Sequence, residues 1–138
     1  EDHPRTLTSM NNLGLLYQDL GKYDLALPLM EKVLAVRRRV LGERHPNTIH
    51  AQRELAICLV KQKTYAKAEP VLLDAYQRYV KVLGSKHPSV VTSIRDLVVL
   101  YEQWGKPEEA AKWKAKLPPV KNLYKQAPDK KKIPLDAA

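Results

Sequence analysis

Apolar residues recur along this chain at two nested spacings, a short one that builds helices and a long one that repeats them. Leu7, Met10, Leu13, Gly14, Tyr17 and Leu20 stand mostly three or four apart, which is the spacing of one helical face. Ala26, Leu29, Met30, Val33, Leu34 and Val40 form a second such set, predicting a helix from Tyr23 to Leu41. Gly21 between the two sets and Gly42 after the second tolerate positive φ and so mark helix ends. Pro4, Pro46 and Pro88 suit the first position of a helix, where a missing N–H is no loss, and the histidine before each is driven to the extended conformation of a cap. The pattern then predicts helices from Pro46 to about Gln62, from Tyr65 to Leu83 and from Pro88 to Trp104, with a turn at Lys63-Thr64 and stops at Gly84 and Gly105. A last helix opens at Pro107, and Pro118-Pro119 should halt it after about three turns.

The long spacing is 42 residues, read from His3-Pro4, His45-Pro46 and His87-Pro88. Leu13, Leu55 and Leu97 keep the same register, as do Tyr17, Leu59 and Tyr101, Ala26, Ala68 and Ala110, and the pairs Tyr23/Tyr65, Pro28/Pro70 and Leu41-Gly42/Leu83-Gly84. A fixed period of this length marks an array whose units bury their apolar faces by stacking on one another. The predicted fold is all-α, a solenoid of three helix pairs at 1–44, 45–86 and 87–117. Val120, Leu123 and Tyr124 are spaced for a short capping helix within 118–126, and 127–138 reads as a flexible basic tail. Glu1-Asp2 before His3 matches Glu43-Arg44 before His45, so the chain reads as opening inside a linker of a longer array.

With 44% hydrophobic and 28% charged residues, the composition is that of a folded globular chain. No apolar run approaches the roughly 20 residues of a spanning helix, and no signal peptide opens the sequence. One cysteine, Cys58, rules out an internal disulfide framework and suits a reducing, cytoplasmic setting. Of the net charge of +9, the last 20 residues hold +3, from Lys121, Lys125, Lys130, Lys131 and Lys132 against Asp129 and Asp136.

Little in the chain points to chemistry. His3, His45 and His87 sit in equivalent linkers, each separated from the next by two helices of about 8–10 Å, so they cannot meet at one metal with bonds of about 2 Å. No metal site and no cofactor is expected. Cys58 falls on an apolar helix side with no histidine beside it, and the carboxylates Asp19, Glu54, Asp96 and Glu102 are scattered; no catalytic group is expected. Arg37-Arg38-Arg39 fan out by about 100° per residue near a helix C-terminus, where cations suit the dipole, and the aromatic rings take core positions, so specific nucleic-acid binding is not expected.

Asn11-Asn12-Leu13-Gly14-Leu15-Leu16-Tyr17, Gly21-Lys22-Tyr23 and Leu41-Gly42 leading into His45-Pro46-Asn47-Thr48 resemble the tetratricopeptide repeat, in the 42-residue form of kinesin light chains and nephrocystin-type proteins. The resemblance covers 1–117 and implies a right-handed superhelix whose first helices line a concave, peptide-binding groove, without catalysis. Leu100 to Pro107 also resembles the closing repeat of arrays in large bacterial proteins, some with kinase domains. Counting from the buried stripe, the concave positions are Thr8, Asn11, Leu15, Gln18 and Asp19, then His50, Arg53, Ile57, Val60 and Lys61, then Thr92, Arg95, Val99, Glu102 and Gln103. Leu15, Ile57 and Val99 make an aliphatic row beside Arg53 and Arg95. The expected partner is therefore a protein or peptide with aliphatic anchors and acidic residues, since arginine pairs with carboxylate in bidentate fashion. Asn12, matched to an asparagine that in the family holds peptide backbone, becomes Glu54 and Asp96 in the next units. The alternative is an architectural segment of a longer array in a kinase or motor adaptor, and open array ends predict self-association.

Overall fold

The structure, a computed structural model, describes residues 4–119. Six helices follow in order: α1 Pro4–Asp19, α2 Tyr23–Leu41, α3 Pro46–Lys61, α4 Tyr65–Leu83, α5 Pro88–Gln103 and α6 Pro107–Lys114. Each packs on the helices before and after it in sequence, and α3 also meets α5, so the array grows by adding helix pairs side by side. No strand occurs among the described residues.

The helix ends follow from local chemistry. His45 and His87 are extended, and each imidazole Nδ1 accepts a hydrogen bond from the backbone N–H two residues on, of Asn47 and Ser89, at 3.0 Å. This closes an otherwise orphaned N–H, and the proline between them occupies the position that has none to lose. Within each pair the turn is one motif used three times: the N–H groups of Lys22, Thr64 and Lys106 bond back to the carbonyls of Tyr17, Leu59 and Tyr101 at 2.8, 2.9 and 2.8 Å. The residue before each donor adopts positive φ, +75° at Gly21, +67° at Lys63 and +78° at Gly105. Lys63 alone carries a side chain there. A Lys63→Gly substitution should therefore raise stability by about 1 kcal/mol, the strain a Cβ adds in the left-handed region; urea unfolding of the two proteins measures it, and a loss of stability would contradict the motif.

The core runs between the two layers of helices. Ala56, Val60, Ala68, Leu72, Leu97, Leu100, Tyr101 and Ala110 form one cluster joining α3 to α6, with Trp104 and Trp113 packed on it. Ile49, Ala75, Tyr79, Val90 and Ile94 form another, and Leu7, Val33, Leu34, Val36 and Ala51 tie α1 and α2 to α3. Tyr101 is buried, its hydroxyl donating to Glu69 Oε2 at 2.7 Å, and burial together with that bond pushes its pKa far above the usual phenol range. Gly14 lets α1 approach α2 closely: a Cβ would lie 3.3 Å from Met30 Cγ.

Three expectations need correction. Leu13 and Leu20 are 41% and 60% exposed rather than part of a buried stripe, because among the described residues no helix covers the outer side of α1. The repeat-equivalent Leu97, with neighbours on both sides, is fully buried. Val40 is 59% exposed, since the buried side of α2 ends at Val36. Helix α6 stops at Lys114, earlier than three turns: Pro118 and Pro119 offer no N–H to continue the ladder, and the chain tightens instead through Lys116 N–H to Trp113 O and Leu117 N–H to Lys114 O at 3.0 Å each. The capping residues Val120, Leu123 and Tyr124 and the basic tail lie outside the described residues.

Candidate functional site

The nine residues singled out on the first helices fall on α1, α3 and α5; six of them, His50, Arg53, Ile57, Lys61, Val99 and Gln103, line hollows at the seam between α3 and α5, while Arg95 borders the recess at the end of the array. Helical periodicity sets this arrangement, because residues at 42-residue offsets occupy the same turn of successive helices. At the middle of the seam Arg53 reaches across to Asp96, its Nε donating to Oδ2 and a terminal nitrogen to Oδ1 at 3.3 Å. Both side chains are largely covered, at 17% and 18% exposure. Burial alone would make the guanidinium easier to deprotonate, but the hydrogen bond and charge of Asp96 outweigh it and hold Arg53 firmly cationic. Arg53 is thus engaged by its own chain.

This clasp divides the seam. Toward the helix N-termini a hollow of about 180 Å³ is lined by His50, Arg53, Tyr79, Pro88, Ser89 and Thr92. His50 Nε2 lies 3.2 Å from Glu54 Oε1, and that bond, opposed by burial, holds the Glu54 carboxyl below the usual range. A carboxyl depressed in this way stabilises the fold above its ordinary titration range, and the contribution is lost as pH falls through its folded value. Toward the C-termini a hollow of about 120 Å³ gathers Ile57, Lys61, Val99 and Gln103, with Val60, Leu72 and Asp96 as its floor and wall. Val99, 43% exposed, also borders a larger recess of about 560 Å³ at the end of the array, lined by Arg95, Val98, Lys114, Leu117, Pro118 and Pro119. Lys114 is held by Glu102 at 2.7 Å. Lys61 and Arg95 make no ion pair among the described residues, so they supply the uncommitted positive charge of this surface.

Asn11 and Leu15 stand apart from these hollows. Leu15 packs on the cluster of Ala26, Met30 and Cys58 and is half-buried, as Ile57 is, while Ile57 and Val99 of the predicted aliphatic row line a shared hollow. Gln18, counted as a concave position, is buried. Sequence reasoning did not single out Gln52, which is buried and donates to Val71 O and Asp74 Oδ2 at 2.9 and 2.8 Å, fixing α3 to α4. Its position in an otherwise apolar interior carries no short-range signal.

Burial pushes the Cys58 thiol up to about 11, against a weaker pull from Lys61, so it stays protonated at neutral pH. Among the described residues no cluster of three or more potential ligands could hold a metal, and no helix is long and apolar enough to cross a membrane.

The model of the tetratricopeptide repeat matches residues 5–79 and 51–116. The chain belongs to the tetratricopeptide-repeat family. Two crystal structures of the nearly identical TPR-like repeats of a kinesin light chain candidate from Podosopora anserina superpose with TM-scores of 0.77 and 0.76. They are 26% and 27% identical over 91% of this chain, which spans only 59% and 60% of theirs. BtubC (BKLC) from P. vanneervenii shares the fold, with a TM-score of 0.68 at 15% identity over 93% of this chain and 52% of that one. No curated protein matches. The repeats are therefore of the kinesin-light-chain type, and this tetratricopeptide array is a protein-interaction module in which the α3–α5 seam lies between the first helices of successive units.

Proposed function

We propose that the tetratricopeptide array binds an extended segment of a partner protein along α3 and α5, with aliphatic side chains at Ile57 and Val99 and a carboxylate at Arg95. The observation that carries this reading is the hollow shared by Ile57, Lys61, Val99 and Gln103, with an unpaired guanidinium one turn away on α5. Arg53, already clasped to Asp96, shapes the groove and leaves the ligand's acid to Arg95. Asn11 and Leu15 border the same concave side on α1, where the ligand would continue toward the first unit. A reducing, cytoplasmic setting fits the buried protonated thiol of Cys58.

A second reading is favoured by the exposed Leu13, Leu16 and Leu20 on α1: the array as an architectural part of a longer solenoid, in a kinase or motor-adaptor host, with further helices or a second copy covering its ends. Fluorescence anisotropy separates the two. A labelled peptide alternating leucine with occasional aspartate should bind the wild-type chain, and an Arg95→Glu/Val99→Asp variant should bind it at least about tenfold more weakly, equivalent to about 1.4 kcal/mol, with unchanged helical circular dichroism. Equal binding by both proteins would refute the groove, and no binding by either would leave the architectural reading.

A further inference from the structure

We infer that the edge of the solenoid formed by the last turns of α2 and α4 and the linkers after them is a second docking surface, taking a strongly acidic segment of another protein that carries aliphatic side chains. It lies away from the α3–α5 groove and shares no residue with it.

The edge repeats its own pattern. Arg39-Val40 and Lys81-Val82 are 42 residues apart, as are Arg44 and Lys86, so the first and second units each present a basic residue, an exposed valine and a second basic residue in the same order. Val40 and Val82 are 59% and 38% exposed, and Leu41 beside Val40 is 40% exposed, although helix ends at corresponding positions could have carried polar residues at no cost to packing. Between the units a recess of about 550 Å³ is bordered by Arg44, Lys81 and Val82, with Asp74, Gln77 and Arg78 behind them.

The recess has fixed walls. Arg78 donates to Asp74 at 2.7 Å and lies 3.4 Å from Glu43, which Arg38 holds from the other side at 3.1 Å. Burial alone would raise Asp74, yet hydrogen bonds from Arg78 and Gln52 outweigh it and hold the carboxyl below its usual range. These two carboxylates are consumed by Arg38 and Arg78, while Arg44, Lys81 and Lys86 make no ion pair among the described residues. The surplus is positive, and it flanks exposed aliphatic side chains at a regular interval. An acidic chain running along the solenoid would place carboxylates on Arg44, Lys81 and Lys86 and aliphatic groups on Val40 and Val82. A nucleic acid fits less well: Glu43 and Asp74 would face its phosphates, and no aromatic ring borders the recess.

The test uses the whole chain and a labelled peptide in which glutamate and leucine alternate, long enough to span two units. Wild type should bind it in a salt-sensitive manner, and in the Arg95→Glu/Val99→Asp background, where the groove no longer competes for the peptide, adding Arg44→Glu/Lys81→Glu should weaken binding at least about tenfold, as should adding Val82→Asp. Binding should persist at this edge in the Arg95→Glu/Val99→Asp variant, which separates this surface from the groove. Should the reversed pair disturb folding by circular dichroism, Arg44→Gln/Lys81→Gln gives the same comparison. The inference is overturned if the Arg95→Glu/Val99→Asp variant does not bind, if adding the edge substitutions leaves its binding unchanged, or if polyglutamate or duplex DNA binds it as tightly as the leucine-containing peptide.

Discussion

Truncating Leu72 to alanine is expected to remove about 2–5 kcal/mol of stability, the largest loss from any single truncation at the seam. Leu72 is fully buried on α4 and belongs to the cluster that joins α3, α4, α5 and α6. Its side chain also floors the hollow of Ile57 and Val99, so the space left behind adds to an existing void and the surroundings have little to collapse with. Because a repeat array is stabilised by the contact of each unit with its neighbours, the damage should fall on the second and third units together. Urea unfolding with paired measurements on Val99→Ala provides the control: Val99 is 43% exposed, and its truncation should cost less than about 1 kcal/mol. Similar losses for the two variants would contradict the assignment of core and groove.

That contrast also shows what the sequence could and could not reveal. Helix starts were legible because proline at the first position and the histidine before it act locally, and α2 and α4 begin and end where Tyr23, Leu41, Tyr65 and Leu83 place them. Helix stops were legible through glycine, and even at Lys63, where no glycine announces the turn, the 42-residue register did so. Exposure was less legible. Leu13 and Leu97 hold the same register and differ from 41% exposed to fully buried, since burial depends on what lies alongside rather than on the residue. The site was legible as a set of positions but not as a network. Glu54 and Asp96 each follow an arginine in sequence, yet neighbours on a helix point about 100° apart, and the partner of Arg53 proved to be Asp96 of the next unit. The pairing depends on how closely α5 lies against α3, which no local spacing encodes.

Replacing Asp96 by alanine should therefore cost about 1–3 kcal/mol, with most of the loss arising from the Arg53 guanidinium left largely covered and unpaired. Substituting both partners, as Arg53→Leu/Asp96→Leu, should cost less than Asp96→Ala, because no charge is then stranded. The prediction depends on the sign of that difference, measured by denaturant unfolding at neutral pH and low salt. A double variant less stable than the single would mean that the pair contributes net attraction beyond its desolvation. The clasp also fixes the spacing of α3 and α5, so Asp96→Ala should weaken groove ligands as well, although Asp96 repels an acidic peptide by its charge.

Whether a partner segment seats on Ile57 and Val99 can be read by methyl NMR of the isoleucine- and valine-labelled chain titrated with the leucine–aspartate peptide. Ile57 is half-buried at the mouth of its hollow, whereas Ile49 and Ile94 are buried in another cluster and serve as internal references. The Ile57 and Val99 methyl signals should shift saturably with peptide while those of Ile49 and Ile94 stay in place. Binding that leaves Ile57 and Val99 unmoved would contradict a groove on α3 and α5.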